Sequence, residues 1–305
     1  MAVCALLTWS LALAALLQPL RTGTSLPVRA APWPSGTAVP RFGHVFVVVM
    51  ENRTAPGVYG PGATPYLRAL AARYSVATDY LAVRHPSLPN YLALLGGGTF
   101  GVASDCAACY VSAQNLVDQL EAAHVSWGAY MEGLPRPGFL AGSWWPGLYA
   151  AKHDPFVYFR DIRASRARRD RIRPLRDLWP ALAGGSVPRF AWITPDLCHD
   201  MHTCPSLAGD DWLRLVLPRI LASRAWRDGG VLFLTWDEGG SGSKPAGGRV
   251  ALIAISPMSV PHGRDPRPAG HYALLHTIEA AFGVGCLGHA CRAPVLTGLF
   301  RRPTA

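Results

Sequence analysis

The chain has 305 residues, half of them apolar and 16% charged, which fits an enzyme-sized globular chain and excludes a disordered or coiled-coil protein. Its formal net charge of +10 is carried almost wholly by arginine, since Lys152 and Lys244 are the only lysines. That bias, with abundant Ala, Gly and Pro, matches a high-GC coding background, so the charge is no argument for a nucleic-acid partner.

The first segment, "MAVCALLTWSLALAALLQPLRTG", holds an apolar run of about sixteen residues, too short and too early for a comfortable membrane span. It reads as a secretory signal within residues 1–30, or as an uncleaved anchor, because its start lacks Lys and Arg. Next, "HVFVVVM" (44–50) is a continuous β-branched run typical of a strand buried on both faces, and "TPYLRALAARY" (64–74) has helical spacing. A strand is expected at 75–82, and then "HPSLPNYLALLGG" (85–97), in which Ser87 stands between Pro86 and Pro89 and a helix winds from Asn90. "SAQNLVDQLEAAH" (112–124) predicts a helix capped by Ser112. Strands are expected at 126–132, 189–194, 231–236 and 250–256, with helices at 209–223 and 272–283. This alternation predicts an α/β fold with a mostly parallel central sheet and helices on both faces.

Residues 40–305 read as a single domain, with an irregular insertion at about 134–187 that is rich in Gly, Pro, Trp and Arg and is read as a lid or excursion. Eight arginines fall between Arg160 and Arg176. They form either a solvated face or a contact for anionic lipid at a membrane surface. Beyond Cys4 there are six cysteines in three close pairs, so local disulfides are the economical pairing in an exported chain: Cys106–Cys109, Cys198–Cys204 and Cys286–Cys291.

Polar residues collect where the expected strands end. Glu51 and Asn52 follow the first; His85 and Ser87 follow the second; Asp196, His199, Asp200 and His202 follow 189–194; Asp237 and Glu238 follow 231–236. In open α/β sheets the carboxyl edge of the strands is where ligands bind. So many carboxylates and imidazoles on one edge would repel or desolvate one another without a cation or an anionic substrate, which points to a metal-dependent site. Ser87 would sit at a helix N-terminus, where free N–H groups and the helix dipole favour an anion, a seat for a nucleophile that attacks phosphorus. His44, His124, His153, His262 and His289 have no partner cluster; His199 reads as a loop residue and His276 as a packing one.

"HVFVVVMENRT", "HPSLPNYLALLGG", "DMH", "DDWL", "LTWDEGG" and "GHYALLHTIEAAFG", in this order, resemble the phosphoesterase family of secreted bacterial acid phosphatases and phospholipases C in the alkaline-phosphatase superfamily. The resemblance covers residues 43–283 and implies an alkaline-phosphatase-like sandwich with a serine nucleophile. It maps the nucleophile onto Ser87, the amide that binds phosphoryl oxygens onto Asn90, and metal ligands onto Glu51, Asn52, Asp237 and Glu238. Site imidazoles fall on His85, His202 and His271, and Asp200 is placed at the substrate. Two-zinc members carry Asp-His where this chain has Asp237-Glu238. An oxygen-rich set of this kind suits Ca²⁺, Mg²⁺ or Mn²⁺ better than a two-zinc centre. The expected activity is that of a secreted acid phosphatase on a phosphorylated small molecule or phospholipid head group, including phosphoinositides. The alternatives are a phospholipase C-type phosphodiesterase and a non-catalytic secreted binder of anionic lipid. Family phospholipases carry additional C-terminal domains, so a chain ending soon after Cys291 favours the monoesterase.

Overall fold

The structure is a computed structural model that describes residues 39–62 and 64–302; the signal segment expected at 1–30 lies outside the described residues. The β-branched run forms β1 (Val45–Met50), and all six of its residues are buried. It lies in the middle of an eight-stranded sheet, bonded in parallel to β6 (Phe190–Thr194) on one side and to β7 (Val231–Trp236) on the other. β4 (Trp127–Met131) and β5 (Ile172–Pro174) extend the sheet beyond β6 in the same direction. Beyond β7 come β8 (Leu252–Ile255), which runs antiparallel, then β2 (Ser75–Ala77) and β9 (Arg264–Asp265). Full burial of β1, β4, β6 and β7 shows that the sheet is covered on both faces. Each fully buried Val or Ile there contributes about 1.5–3 kcal/mol relative to exposure.

The expected strand 75–82 is two strands in two sheets. β2 ends at Ala77, and β3 (Tyr80–Leu81) pairs instead with β10 (Ala269–Gly270) in a separate two-stranded sheet. The break falls at Thr78 and Asp79: Thr78 N–H donates to Asp265 O, and Asp79 pairs with Arg249 at 2.9 Å. β10 runs directly into α10 (His271–Phe282), so this small sheet sets the start of both of the helices that frame the site.

Short helices α1 (Ala55–Tyr59) and α2 (Pro65–Arg73) follow β1. Thr64, the residue preceding α2, makes no side-chain cap bond; Asp210 of α8 (Ser206–Leu221) takes that place, accepting from Tyr66 N at 3.0 Å and Leu67 N at 2.8 Å. α3 (Ser87–Gly96) starts three residues earlier than Asn90, because Pro89 is tolerated within a first turn. It ends at Gly97, whose φ of 72° is left-handed and whose missing Cβ leaves room for Leu287 O. The loop that holds Leu287 is closed by Cys286–Cys291, and Leu287 N donates to Glu279 of α10 at 2.9 Å. The helix expected at 112–124 is α4 (Leu116–Ala122). Its cap is Asn115 and not Ser112, because Asn115 and Asp118 satisfy each other's backbone N–H groups in a capping box.

The segment 134–187, read as a lid or excursion, is built into the body. It supplies edge strand β5 and buries Phe156, Tyr158 and Phe159, with α5 (Arg160–Ala164), α6 (Arg166–Arg169) and α7 (Leu178–Ala183) around them. Several of its arginines have partners within the chain: Arg168 pairs with Asp118, Glu121 and Asp161, and Arg163 stacks over Tyr110 at 3.9 Å. All three expected disulfides are present. α9 (Arg224–Arg227) completes the helices.

Gly97→Ala should lower stability by more than the ~1–2 kcal/mol that a left-handed non-glycine residue costs, because its Cβ would also fall 2.2 Å from Leu287 O. Thermal or denaturant unfolding checks this, and an unchanged midpoint would contradict the packing described for α3.

Candidate active site

Parallel pairing of β6, β1 and β7 brings the loops at their carboxyl ends together. Glu51 N donates to Asp200 O at 2.8 Å, and Asp237 N donates to Met50 O at 2.9 Å, so the residues after the three strands are locked side by side. Glu51, Asp200 and Asp237 are all fully buried. Asn52, in a left-handed conformation that Asn tolerates, turns its N–H to Asp237 Oδ1 at 3.2 Å.

Ser87 is the first residue of α3, and its hydroxyl donates to Glu51 Oε2 at 3.0 Å. The nucleophile candidate and the first carboxylate candidate therefore meet directly, at a helix N-terminus. Asn90 does not reach outward as expected. Its Oδ1 accepts from Val83 N and Arg84 N at 2.9 and 3.2 Å, and its Nδ2 donates to Arg84 O and Pro86 O at 2.7 and 3.1 Å. With its amide so engaged, Asn90 staples the loop that carries Ser87 and has no free donor for a phosphoryl oxygen.

His153, dismissed from the sequence, lies at the centre. It stands in a 3₁₀ turn, Ala151–His153, its ring stacked on Tyr91 at 5.4 Å. Nδ1 lies 3.0 Å from Asp200 Oδ2 and Nε2 lies 3.0 Å from Glu51 Oε1. Burial, then the Lys152 charge, hold the imidazole well below its usual pKa, so it is neutral. With its one proton on Nδ1 toward Asp200, the Nε2 lone pair faces a carboxylate oxygen, and neither atom has a hydrogen-bond partner. His202 Nδ1 and Asp237 Oδ2 are likewise buried and unpartnered. Glu51, His153 and His202 present ligand atoms within 4.8 Å of one another. The unpartnered Glu51 Oε1, His153 Nε2 and Asp237 Oδ2 fit a divalent cation.

The metal set expected from the sequence changes accordingly. Glu51 and Asp237 remain at the centre, whereas Glu238 turns to His85, its Oε2 2.7 Å from Nδ1. His153 and His202 join Glu51 in a group that could hold a cation, a mixed nitrogen and oxygen set. Imidazoles widen the choice beyond Ca²⁺ and Mg²⁺ toward Mn²⁺ and Zn²⁺. The electrostatics agree. Burial and the Asp237 charge push Glu51 well above the usual carboxylate range, burial and Glu238 do the same to Asp237, and burial pushes Asp200 up to about 8. Without a cation the cluster cannot hold all its carboxylates ionised at neutral pH.

Two further expectations are corrected. Asp200, placed at the substrate, is fully buried and uses both oxygens inside the protein, orienting His153 and accepting from His202 N at 2.7 Å. His271, taken as a site imidazole, is buried at the start of α10, with Nε2 donating to Asp237 O at 2.5 Å and Nδ1 accepting from Tyr80 at 3.0 Å. Burial pulls its pKa down to about 4, so it is a neutral positioning group for Asp237 and holds no exchangeable role.

The mouth is formed by His85, Glu238, Asp105, Lys152 and His202. His85 Nε2 lies 3.0 Å from Ser243 O, and burial followed by the Asp105 charge pushes Glu238 up to about 8. Lys152 Nζ lies 2.8 Å from Asp105 Oδ2 and 3.2 Å from His202 Nε2. Burial, then His153 and Lys152, pull the His202 pKa down to about 4. Neither Asp105 nor Lys152 was singled out from the sequence. The available signal for Lys152 was its rarity in an arginine-rich chain. A separate cavity of about 1040 Å³ beside α1 and α2, bounded by Tyr59, Arg68, Arg249 and Arg264, contains none of these residues.

The loop holding Asp200 and His202 is itself braced. Cys198–Cys204 closes it; Arg53 donates to Ser206 Oγ and Cys204 O at 2.8 and 3.1 Å; and His199 lies 3.0 Å from Glu132 and 3.2 Å from Asp196. Glu132 Oε1 also accepts from Trp212 at 3.0 Å, which accounts for one position of the "DDWL" motif as Asp210 accounts for another.

A buried carboxylate and imidazole cluster with a helix-borne serine lies at the carboxyl edge of a mostly parallel sheet, the edge at which open α/β folds bind ligands. The chain belongs to the phosphoesterase family, which it matches over residues 43–285, and it hydrolyses phosphate esters. It is 30% identical over 267 residues to phosphatidylinositol-3-phosphatase of Mycobacterium tuberculosis, covering 87% of this chain and 85% of that one. It is 29% identical to the phosphate-repressible acid phosphatase of Penicillium chrysogenum, covering 87% of this chain but only 64% of the fungal one. The fold is shared with an alkaline-phosphatase-superfamily protein of Vibrio parahaemolyticus (TM-score 0.57, 11% identity, 91% of this chain and 76% of that one). It is also shared with the phosphonate monoester hydrolase of Agrobacterium radiobacter (TM-score 0.55, 11% identity, 79% and 74%).

Hydrogen bonds donated to Asp196 and then Glu132 raise the His199 pKa from 6.5 to about 10. A pKa raised in the folded state stabilises fully below the unfolded value and is lost as pH rises through the folded one. The melting temperature of wild type over His199→Gln should therefore be highest below pH 6.5 and fall away toward pH 10. A pH-independent difference would contradict the ion pairs that brace this loop.

Proposed function

We propose that the chain is an exported phosphomonoesterase in which Ser87 is the nucleophile and Glu51 its proton acceptor. The observation that carries this reading is the 3.0 Å hydrogen bond from Ser87 Oγ, at the first residue of α3, to the buried carboxylate of Glu51. Glu51 Oε2 takes the hydroxyl proton as Oγ attacks phosphorus. The N–H groups at the start of α3 hold the phosphoryl oxygens. The leaving alcohol takes its proton from the His85 and Glu238 pair at the mouth. Water then attacks the phosphoserine and gives its proton to the His85 and Glu238 pair, while Glu51 returns the proton it took to Ser87 Oγ as phosphate leaves.

Glu51, Asp237, His153 and His202 are the residues that would hold a divalent cation, and bound there it would neutralise the carboxylates and lower the pKa of the serine hydroxyl. His271 and Asn52 orient Asp237, Asp200 orients His153, and Asn90 holds the loop of Ser87. The identity with the mycobacterial enzyme over most of both chains supports a phosphoinositide head group among the substrates. Three short-range disulfides and the apolar first segment support export to an oxidising compartment.

Acid quenching during p-nitrophenyl phosphate turnover should trap phosphate on Ser87, and Ser87→Ala should lose nearly all activity. Asp237→Asn, which removes one carboxylate of the cluster, should cost about 10²-fold. A Ser87→Ala enzyme that keeps substantial turnover would mean that water attacks phosphorus directly.

A further inference from the structure

The seat beside Ser87 is already filled by an anion. Asp105 Oδ1 accepts from Leu88 N at 3.0 Å, in the first turn of α3, and Oδ2 accepts from Lys152 Nζ at 2.8 Å. α3 has no acidic residue in its own first turn and no side-chain cap on Pro86, so Asp105, from the loop after the helix, is the anion at this terminus. Lys152 bridges it to His202 Nε2 at 3.2 Å. A carboxylate with one oxygen on a helix N–H and the other on an ammonium occupies two donors that a phosphoryl group next to Ser87 would use.

We propose that Asp105 is an internal stand-in for the phosphoryl group: substrate binds by displacing its carboxylate from Leu88 N–H and Lys152, which then become phosphoryl donors. The proposal rests on the reading of Ser87 as the attacking group and adds the residues that select for phosphate. Two contrasts within the chain support it. Asp210, which does only the structural work of a cap, is buried and gives both oxygens to α2, whereas the Asp105 and Lys152 side chains are 26% and 24% exposed at the mouth. Of 29 basic residues only two are lysines, and the one at the site is a compact point charge, able to pass from a carboxylate to a phosphoryl oxygen without the fixed fork of an arginine.

The test is calorimetric binding of inorganic phosphate to the full chain in a Ser87→Ala background, where no phosphoenzyme forms. Asp105→Asn keeps the shape and an acceptor for Leu88 N–H but removes the competing charge. It should tighten phosphate by about tenfold or more, the equivalent of one charge-assisted hydrogen bond. Lys152→Met should weaken it by about the same factor. Should Asp105→Asn fold poorly, Asp105→Ser is a second neutral acceptor with the same expected gain. Equal or weaker phosphate affinity in a folded Asp105 variant would overturn the proposal, as would unchanged affinity in Lys152→Met. Absence of phosphate binding by the Ser87→Ala parent would overturn both the seat and its stand-in. A Ser87→Ala enzyme that still turns over p-nitrophenyl phosphate would remove the nucleophile assignment alone and leave the binding comparison to decide on Asp105.

Discussion

The structure around the site depends on one carboxylate. Glu51 stands at the end of the central strand with no solvent exposure, flanked by Asp200 on the loop after one neighbouring strand and Asp237 after the other. Charges so placed are tolerable only when paired, because removing even one from water costs several kcal/mol. The hydroxyl of Ser87, the imidazole of His153 and the unpartnered oxygen of Asp237 are all turned to this point. Around it the protein spends other side chains on orientation: Asp200 on His153, His271 on the backbone of Asp237, and Asn90 on the loop before α3. The result is a floor whose unpartnered oxygens and imidazole nitrogen suit a positively charged species.

Much of the frame was legible from the sequence. "HVFVVVM" could be little other than a doubly buried strand, and the helices at α2, α8 and α10 follow apolar spacing closely. The rule that ligands gather at the carboxyl ends of parallel strands placed Glu51 and Asp237 together before any coordinates. Ser87 followed from the helix that starts there. His153 escaped because it lies in a 3₁₀ turn inside a segment with no hydrophobic period, and only tertiary packing on Tyr91 brings it to Glu51. Asn90 was misjudged for a related reason. Residue type and spacing show that an amide is near the serine, but not that four backbone groups of the preceding loop already claim it. The split of 75–82 into β2 and β3 was equally hidden, since both halves have strand composition and the division is imposed by Asp265 and Arg249 from far along the chain.

The periphery serves the same floor. Cys198–Cys204, Arg53 and the His199 ion pairs brace the loop that carries Asp200 and His202, while Cys286–Cys291 packs Leu287 against the end of α3. These contacts lie at loop ends where a parallel sheet has no ladder to hold the chain. They explain why a site assembled from separate loops keeps its groups at hydrogen-bond distance.

The central claim is that the buried carboxylates and imidazoles around Glu51 form a cation site. It is tested most directly by calorimetric titration with Mn²⁺ and with Zn²⁺ in two buffers of different ionisation enthalpy, which counts the protons released on binding. Burial holds Glu51, Asp200 and Asp237 above the usual carboxylate range, so a cation that ionises them should bind saturably near neutral pH and release at least one proton. Absence of saturable binding, or binding with no proton release and no change on Glu51→Gln, would contradict the account.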